Sequence, residues 1–340
     1  MKYKLLGRSG LKVSELCLGT MGFGTEAGWG ADRDTSFAIM DAYANAGGNF
    51  LDTANIYKLG TSEKIIGDYI SNHDRDYFVV ATKYTLKDNT TNPNASGNSR
   101  KNMMRSVEAS LKRLNTDYID LFYLHIWDDI TPIDEVLRGM DDLVKQGKIN
   151  YVAISDTPAW VVAQGNTMAE LMGWSRFVAL QVEYSLIART PERELIPMAK
   201  HFGMTVTPWA PLGGGVLTGK YLRGEQGRIK PESKRLNDRA VAITQAVVEI
   251  ADELGTLAGN VALKWTMQQS FSSIPIVGAT KLSQLEDNLK TVDVTLSDDQ
   301  LNRLDAASAI ELGFPGEFFR EEGVRTNTFG GFYDKVEKRD

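Results

Sequence analysis

The sequence predicts an α/β fold: a single (β/α)8 TIM barrel with long loops on its C-terminal face and a C-terminal tail. Three observations predict it. Short apolar runs of strand length alternate with longer segments of helical spacing about eight times along the 340 residues. Several of these runs are apolar without alternation, as strands buried on both faces must be. The glycines near the first run, Gly19, Gly22, Gly24, Gly28 and Gly30, lie in a loop and not in the tight turn that a doubly wound dinucleotide-binding sheet requires.

In order, the strand-like runs are Cys17–Thr20, Asn49–Asp52, Phe78–Lys83, Ile119–Leu124, Ile149–Ile154, Phe177–Gln181, Met204–Thr207 and Ser273–Val277. Between them, apolar residues recur at helical spacing. Met104, Val107, Leu111 and Leu114 share one face, as do Ile133, Val136, Leu137, Met140, Leu143 and Val144, and later Ile243, Val247, Ile250 and Leu254. Thr131-Pro132 and Thr190-Pro191 place proline at a first helical position behind a capping threonine, and Gly147 stops a helix after Lys145 and Gln146. No composition shift marks a linker, so one domain is expected over residues 1–340, with a barrel core of about 15–308 and a tail of about 310–340. The lead-in to about Val13 and the polar loop Lys87–Ser99 fall outside the repeat.

The composition is that of a globular protein: 42% hydrophobic, 24% charged and 9% aromatic residues, with 31 glycines and 10 prolines. Disordered, collagen-like and membrane-spanning readings fall away. Lys and Arg number 38 against 44 Asp and Glu, a net charge of −6 without a long basic run, so neither nucleic acid nor an anionic membrane is an expected partner. The one cysteine, Cys17, cannot form an intramolecular disulfide, and His73, His125 and His201 do not make a metal spacing, so no metal is expected. The opening MKYKLLGRSGLKV carries charge but no apolar core of signal-peptide length, which points to a cytoplasmic protein. The glycosylation-type triplets at Asn89 and Asn94 are then coincidental.

In a barrel of this kind, reactive residues project from the C-terminal ends of the strands. Asp52 ends the second run, Lys83 the third and His125 follows the fourth, while Tyr57 lies five residues past Asp52. Ser155 and Asp156 end the fifth, Gln181 ends the sixth, Trp209 follows the seventh, and Gly278 to Lys281 follow the eighth. Each alone has an ordinary reading: Asp as a helix cap, Lys as surface, Tyr as packing, His as a satisfied core residue. Four titratable groups from three successive strand ends converging on one mouth are harder to explain that way. A tyrosine is a poor acid near neutrality, but a buried ammonium beside it stabilises the phenolate. Asp52 would hold Lys83 charged, and His125 would orient the substrate oxygen or pass the proton. Such a set suits protonation of a carbonyl oxygen as a hydride reaches the carbon. It does not suit hydrolysis, since Cys17 lies in an apolar run and G-x-S-x-G is absent. The run Pro211–Lys220 nearly spells a phosphate loop, but Tyr221 stands where a metal-binding hydroxyl is needed. That argues against a nucleoside triphosphatase and leaves glycine-rich backbone followed by lysine, suited to a pyrophosphate or a 2′-phosphate.

Eight segments in order then carry a family likeness: LCLGTMGFG (16–24), NFLDTANIY with GTSEKIIG (49–57 and 60–67), VVATK (79–83), DYIDLFYLH (117–125), GKINYVAISD (147–156), QVEYSLIAR (181–189), PWAPLGGGVLTGKY (208–221) and IPIVGATKLSQLEDN (274–288). Over nearly its whole length the chain resembles the aldo-keto reductases, most closely their aryl-alcohol dehydrogenase-like branch. The resemblance implies a barrel that binds NADPH and reduces aldehydes or ketones reversibly to alcohols. It implies Tyr57 as general acid, Lys83 lowering its pKa, Asp52 paired with the lysine and His125 orienting the carbonyl. For the cofactor it implies Ser155, Asp156 and Gln181 at the nicotinamide carboxamide and Trp209 stacked on the ring. Ala210, Pro211, Leu212, Gly213 and Gly214 match the pyrophosphate wrap, Lys220, Thr280 and Lys281 the region of the 2′-phosphate, and Gln284, Asp287 and Asn288 the adenosine. Gly19, Thr20, Met21, Asp52 and Gly278 complete the expected cofactor contacts.

Two departures qualify the match. The commoner pair after the fifth strand is Ser-Asn, and here it is Ser155-Asp156, whose carboxylate accepts from the carboxamide NH2 but cannot donate to its oxygen. The arginine frequent near Thr280 is missing, which leaves Lys220, Lys281 or an arginine of residues 223–239 to favour NADPH, with NADH left open. Phe23, Trp29, Tyr57, His125 and Trp127, with Met21 and the tail aromatics Phe314, Phe318, Phe319 and Phe329, are the candidate walls of a pocket for aromatic or broad-range carbonyl substrates. The alternative is a cofactor-binding regulatory subunit like the potassium-channel β subunits, which share most of these motifs; the short lead-in argues for a free enzyme. A barrel isomerase or aldolase using Lys83 as a Schiff-base amine leaves Trp209 and the glycine run unexplained.

Overall fold

Strands that are apolar on both faces need a covering on both, and the chain supplies it by closing a parallel sheet on itself inside a ring of helices. The computed structural model describes residues 1–26, 28–88, 91–227, 229–230 and 232–337. Two short strands, β1 (Tyr3–Leu5) and β2 (Lys12–Ser14), pair antiparallel. Eight parallel strands follow: β3 (Cys17–Gly19), β4 (Phe50–Asp52), β5 (Val79–Tyr84), β6 (Ile119–Leu124), β7 (Ile149–Ser155), β8 (Phe177–Glu183), β9 (Thr205–Trp209) and β10 (Ile276–Gly278). Their spatial order is β10-β3-β4-β5-β6-β7-β8-β9. The ring closes at Val206, whose N–H donates to the Ser272 carbonyl at 2.8 Å and whose carbonyl accepts from the Ile274 N–H at 3.0 Å. All eight expected runs are strands, with boundaries moved by a few residues.

The helices α1 (Arg33–Asn45), α2 (Thr61–Ile70), α3 (Arg100–Leu114), α4 (Ile133–Lys145), α5 (Ala159–Met172) and α6 (Leu195–His201) return the chain between successive strands from β3 to β9. Two helices, α7 (Asp238–Leu254) and α8 (Ala258–Met267), lie between β9 and β10, and α9 (Leu282–Leu289), α10 (Asp298–Ala307) and α11 (Glu322–Phe329) follow. Alternation along the strands sorts two cores. Leu51, Val80, Phe122, Leu124 and Ile154 face the helices, whereas Phe50, Val79, Ala81, Leu121, Tyr123, Ala153 and Ala179 fill the barrel. The lead-in is more than a lead-in: Leu6 and Val13, flanking the β1–β2 turn, are fully buried in this interior core and plug the bottom of the barrel.

Several local expectations shift. Helix α4 starts at Ile133, with Pro132 at its cap position, because Asp128 claims Thr131 instead: the Thr131 hydroxyl donates to Asp128 Oδ2 at 2.7 Å and its N–H to Oδ1 at 2.9 Å. Thr190-Pro191 opens only the short turn Thr190–Glu192. Gly147 does stop α4, at φ 71°, with its N–H on the Val144 carbonyl at 2.9 Å. In α3 the buried face runs through Met103, Val107 and Leu114, and Met104 and Leu111 sit at its edge. Beyond Ser308 no described residue is buried. The tail aromatics are exposed, Phe314 at 85% and Phe319 at 62%, with Phe318 and Phe329 less so. The Asn89 triplet lies outside the described residues.

Candidate active site

The period of two that fills the barrel also builds its mouth. Above Phe50 the next inward residue is Asp52; above Ala81 it is Lys83; above Ala153, Ser155; above Ala179, Gln181. Thus the top interior layer is polar above an interior that is mostly apolar, and a buried polar layer must find partners. Lys83 Nζ, on a side chain with no exposed surface, donates to Asp52 Oδ2 at 2.7 Å, to the Thr53 carbonyl at 2.7 Å and to Tyr57 Oη at 3.3 Å. Gln181 Nε2 donates to the other Asp52 oxygen at 2.9 Å. His125, just beyond β6, places its ring edge-on to Tyr57, 6.0 Å between centroids. The four residues expected to carry the chemistry are therefore in one cluster, with Tyr57 half-buried at its solvent side.

Burial sets the charge states. It opposes the Lys83 ammonium, but Asp52 and Tyr57 outweigh it and hold the lysine above its ordinary value. Tyr57 is more finely balanced than its partners suggest. Burial raises its phenol pKa, Lys83 pulls it down and Asp52 pushes it up, leaving a net rise rather than the net fall expected from the lysine alone. His125 is lowered from 6.5 to about 3, first by burial and then by the Lys83 charge. Its Nδ1 is buried with no hydrogen-bond partner. The unfolded chain therefore binds a proton between pH 6.5 and about 3 that the folded chain refuses. We expect His125 to remain neutral at pH 5 by 15N NMR, and stability to fall as pH drops through that window. A charged imidazole at pH 5 would contradict the burial argument.

On the opposite side of the mouth, Asp156 adopts φ 37° and accepts from Trp209 Nε1 at 3.1 Å, fixing the indole. Burial raises its carboxyl pKa and the indole bond lowers it, with burial the larger. Ser155 Oγ is buried and has no partner. After Trp209 the chain turns at Ala210 (φ 50°) and runs through Gly213 (φ 59°), Gly214 (φ 71°) and Gly215 (φ 97°). A Cβ at Gly213 would come 2.4 Å from Ile187 Cδ1, and one at Gly214 2.6 Å from Ile229 Cδ1, contacts that those side-chain ends can relieve, so it is the left-handed conformation that calls for glycine. Pro211 and Gly213 are buried and Leu212 is half-buried beneath this turn.

The residues expected around the adenosine end are placed as follows. Lys220 Nζ is tucked between Gly215 and Gly227, 5.1 Å from the Tyr221 ring centre. Thr280 donates from N at 2.9 Å and from Oγ1 at 3.3 Å to Gln284 Oε1 at the start of α9, where Lys281 is exposed. Asp287 pairs with Lys290 at 2.8 Å, Asn288 is buried, and Gly278 is exposed. At the other rim, Gly19 and Thr20 are buried, with Thr20 Oγ1 spent on the Asp52 carbonyl at 2.8 Å, and Met21 is exposed. The arginines of residues 223–239 are engaged: Arg223 with Glu225, Arg239 with the Ile187 and Ser308 carbonyls, and Arg235 with Glu183 at 2.5 Å. Arg228 lies outside the described residues. Arg235 also lies 6.0 Å from the Trp209 ring centre, a placement the sequence reading missed. The signal was Glu183, a charged residue two beyond Gln181 on the same strand.

Phe23 is corrected outright: it is 0% exposed and packs in the helix-facing core, so it offers no surface to a substrate. Trp29 is 40% exposed, with Lys58 Nζ 3.6 Å from its ring centre. Trp127 packs half-buried on the core. A cavity of 570 Å³ lies away from the cluster, between Val216, Tyr221 and Ile229 on one side and Val241 and Thr244 of α7 on the other. Among the described residues no group of three His, Cys, Asp or Glu side chains is placed to hold a metal ion, and no helix is long and apolar enough to cross a membrane.

A parallel barrel with a buried Asp–Lys–Tyr set and a histidine at its C-terminal mouth, beside a glycine-rich turn, has the makings of an oxidoreductase site. The aldo/keto reductase family matches residues 15–309, and the chain belongs to it. It is 38% identical over 351 aligned positions to an aryl-alcohol dehydrogenase [NADP(+)] of Phanerodontia chrysosporium, covering 96% of this chain and 91% of that one. A norsolorinic acid reductase of Emericella nidulans is 37% identical over 92% of this chain and 83% of its own. An uncharacterised oxidoreductase of Bacillus subtilis is 36% identical over 89% and 95%.

Proposed function

We propose that this oxidoreductase is an NADPH-dependent reductase of aldehydes or ketones, aromatic ones among them, with Tyr57 as the general acid. The observation that carries the reading is the phenol of Tyr57, half-buried at the mouth with its oxygen 3.3 Å from a fully buried ammonium. The residues present fit a dinucleotide. Ser155 Oγ is an unpaired buried hydroxyl ready for a carboxamide, Trp209 offers a fixed ring for stacking, and the turn after it, left-handed at Ala210 and from Gly213 to Gly215, presents backbone free of side chains at its three glycines. Gln181 would contribute at the same end, and Lys220, Thr280, Lys281, Gln284 and Asn288 at the phosphate and adenosine end. When bound, the reduced nicotinamide supplies the hydride that reaches the carbonyl carbon.

The chain's own residues handle the proton. A histidine that stays neutral down to about pH 3 has no imidazolium to spend near pH 7, so His125 orients the carbonyl oxygen and Tyr57 Oη gives up the proton. The phenolate left behind faces Lys83 Nζ, and Asp52, Thr53 and Gln181 keep that ammonium charged and still. The name of the aryl-alcohol dehydrogenase relative supports an aromatic carbonyl substrate, as do the exposed Trp29 and Met21 and the half-buried Trp127 at the rim. The test is purified protein with NADPH and a panel of aromatic and aliphatic carbonyl compounds, followed by loss of nicotinamide absorbance. Tight cofactor binding with no turnover across the panel would replace this reading with that of a cofactor-binding regulatory subunit. For cofactor choice, Lys220→Ala and Lys281→Ala should each weaken NADPH by about tenfold, one charge-assisted phosphate contact, and NADH hardly at all. Equal losses for both nucleotides would remove those lysines from the 2′-phosphate.

A further inference from the structure

Tyr57 is carried by backbone that its own residues disfavour. Between Tyr57 and α2 the chain passes through Lys58 (φ 50°) and Leu59 (φ 56°), side-chain-bearing residues in the left-handed region, and then Gly60 (φ 92°). Such a run persists only where the surroundings over-determine it. The first turn of α2 does so with two adjacent side chains. Ser62 Oγ donates to the Thr20 carbonyl at 2.9 Å and accepts from Thr53 Oγ1 at 2.9 Å, with Thr20 Oγ1 packed 2.9 Å from it. Glu63 accepts from Thr82 Oγ1 at 2.6 Å and from Arg113 Nε at 2.5 Å. Ser62, Glu63, Thr20, Thr53 and Thr82 are all 0% exposed.

These five residues sit beside the reactive ones. Thr20 follows β3, and its hydroxyl also donates to the Asp52 carbonyl; Thr53 follows Asp52, and its own carbonyl accepts from Lys83 Nζ; Thr82 precedes Lys83. The helix behind Tyr57 is thereby bolted to the ends of β3, β4 and β5, two of which carry Asp52 and Lys83. We infer that Ser62 and Glu63 are positioning residues: through Thr20, Thr53 and Thr82 they fix the separation of Tyr57 Oη from Lys83 Nζ. The inference rests on the role proposed above for Tyr57. Neither residue touches substrate, and both act on how well the proton donor is aligned with the charge that stabilises its phenolate.

The experiment uses the full chain with two readouts: steady-state kinetics with NADPH and a reactive aldehyde, and NMR titration of 13C-labelled tyrosine in the protein without cofactor. Ser62→Ala and Thr82→Val should lower kcat by about 10- to 100-fold with KM changed by no more than about threefold, the range for a sub-ångström to 1 Å misplacement. The Tyr57 resonance should titrate at higher pH than in the unmodified chain, because the phenol loses its close ammonium while staying buried. Thr53→Val should do the same and Thr53→Ser should restore both readouts. Thr291→Val removes an equally buried hydroxyl bond, 3.1 Å to Asn260 Oδ1, far from the mouth, and should cost stability without moving either readout. Unmodified kcat and an unshifted Tyr57 titration in Ser62→Ala overturn the inference, as does a matching kcat loss in Thr291→Val. Should Ser62→Ala not fold, the Thr53 pair decides by the same criteria. Should the unmodified chain reduce no carbonyl compound, the tyrosine titration alone decides: a shift upholds the positioning though the reductase reading has failed, and no shift overturns it.

Discussion

Replacing Tyr57 by Phe is expected to lower kcat by about 10²- to 10⁴-fold, the usual worth of a positioned general acid, while NADPH binding stays within a few-fold. The substitution removes one oxygen and little else. The ring keeps its edge-on contact with His125, and Lys83 keeps Asp52 and the Thr53 carbonyl as acceptors, so the fold loses only the 3.3 Å bond. Since His125 is neutral at working pH, no second acid stands ready to substitute. Rapid mixing of the Tyr57→Phe protein with NADPH and aldehyde would show binding without hydride consumption. A residual rate within tenfold of the unmodified enzyme would assign the proton to another group.

The same geometry predicts the pH profile. Burial lifts the Tyr57 phenol above 10 despite the neighbouring lysine, so the acid form persists throughout the neutral range and kcat for carbonyl reduction should stay level up to about pH 10 before falling. A profile falling between pH 6 and 8 would point to an ionisable donor of ordinary imidazole pKa instead. The expectation from residue types alone was the opposite sign, a phenol pulled below its ordinary value. Counting charged neighbours is a sequence-level operation; weighing them against burial needs the structure.

Much of the rest was legible because it depends on period. Eight apolar runs became eight strands, and the residues that interrupt them, Asp52, Lys83, His125, Ser155 and Gln181, came together because inward positions of neighbouring parallel strands share one layer. What was not legible depends on contacts between distant segments. The three-residue strands β1 and β2 have too little pattern to declare themselves, yet they plug the barrel. Phe23 reads the same whether it faces a pocket or a core, and only the packing of α1 against its loop decides for the core. Which arginine of residues 223–239 could meet a phosphate is not readable from the chain, and Arg235 is held by Glu183, 52 residues away. Ser62 and Glu63 stand in the GTSEKIIG segment, and nothing in their spacing shows that Thr20, Thr53 and Thr82 converge on them.

The largest effect on stability is expected from Lys83→Met. A buried ion pair adds little to stability, but breaking one leaves a charge stranded, at a cost of roughly 3–5 kcal/mol. Here the stranded group is Asp52, 3% exposed, with Gln181 Nε2 as its remaining side-chain donor. The variant should recover part of the loss by taking a proton on that carboxylate, so denaturant unfolding should show a smaller deficit at pH 5 than at pH 8. Asp52→Asn combined with Lys83→Met removes both charges and should regain most of the stability with none of the activity. Equal destabilisation in the single and double variants would mean that packing, not charge, holds this layer. In the unmodified chain the sign runs the other way at high pH. Lys83 titrates above its ordinary 10.5, so its contribution is complete below that value and is lost as pH climbs through the raised one. Tyr57, whose phenol is raised as well, limits both turnover and the fold at alkaline pH, and Lys83 adds to the limit on the fold. Lys83→Met should abolish turnover at every pH while removing the alkaline loss of stability that depends on the lysine.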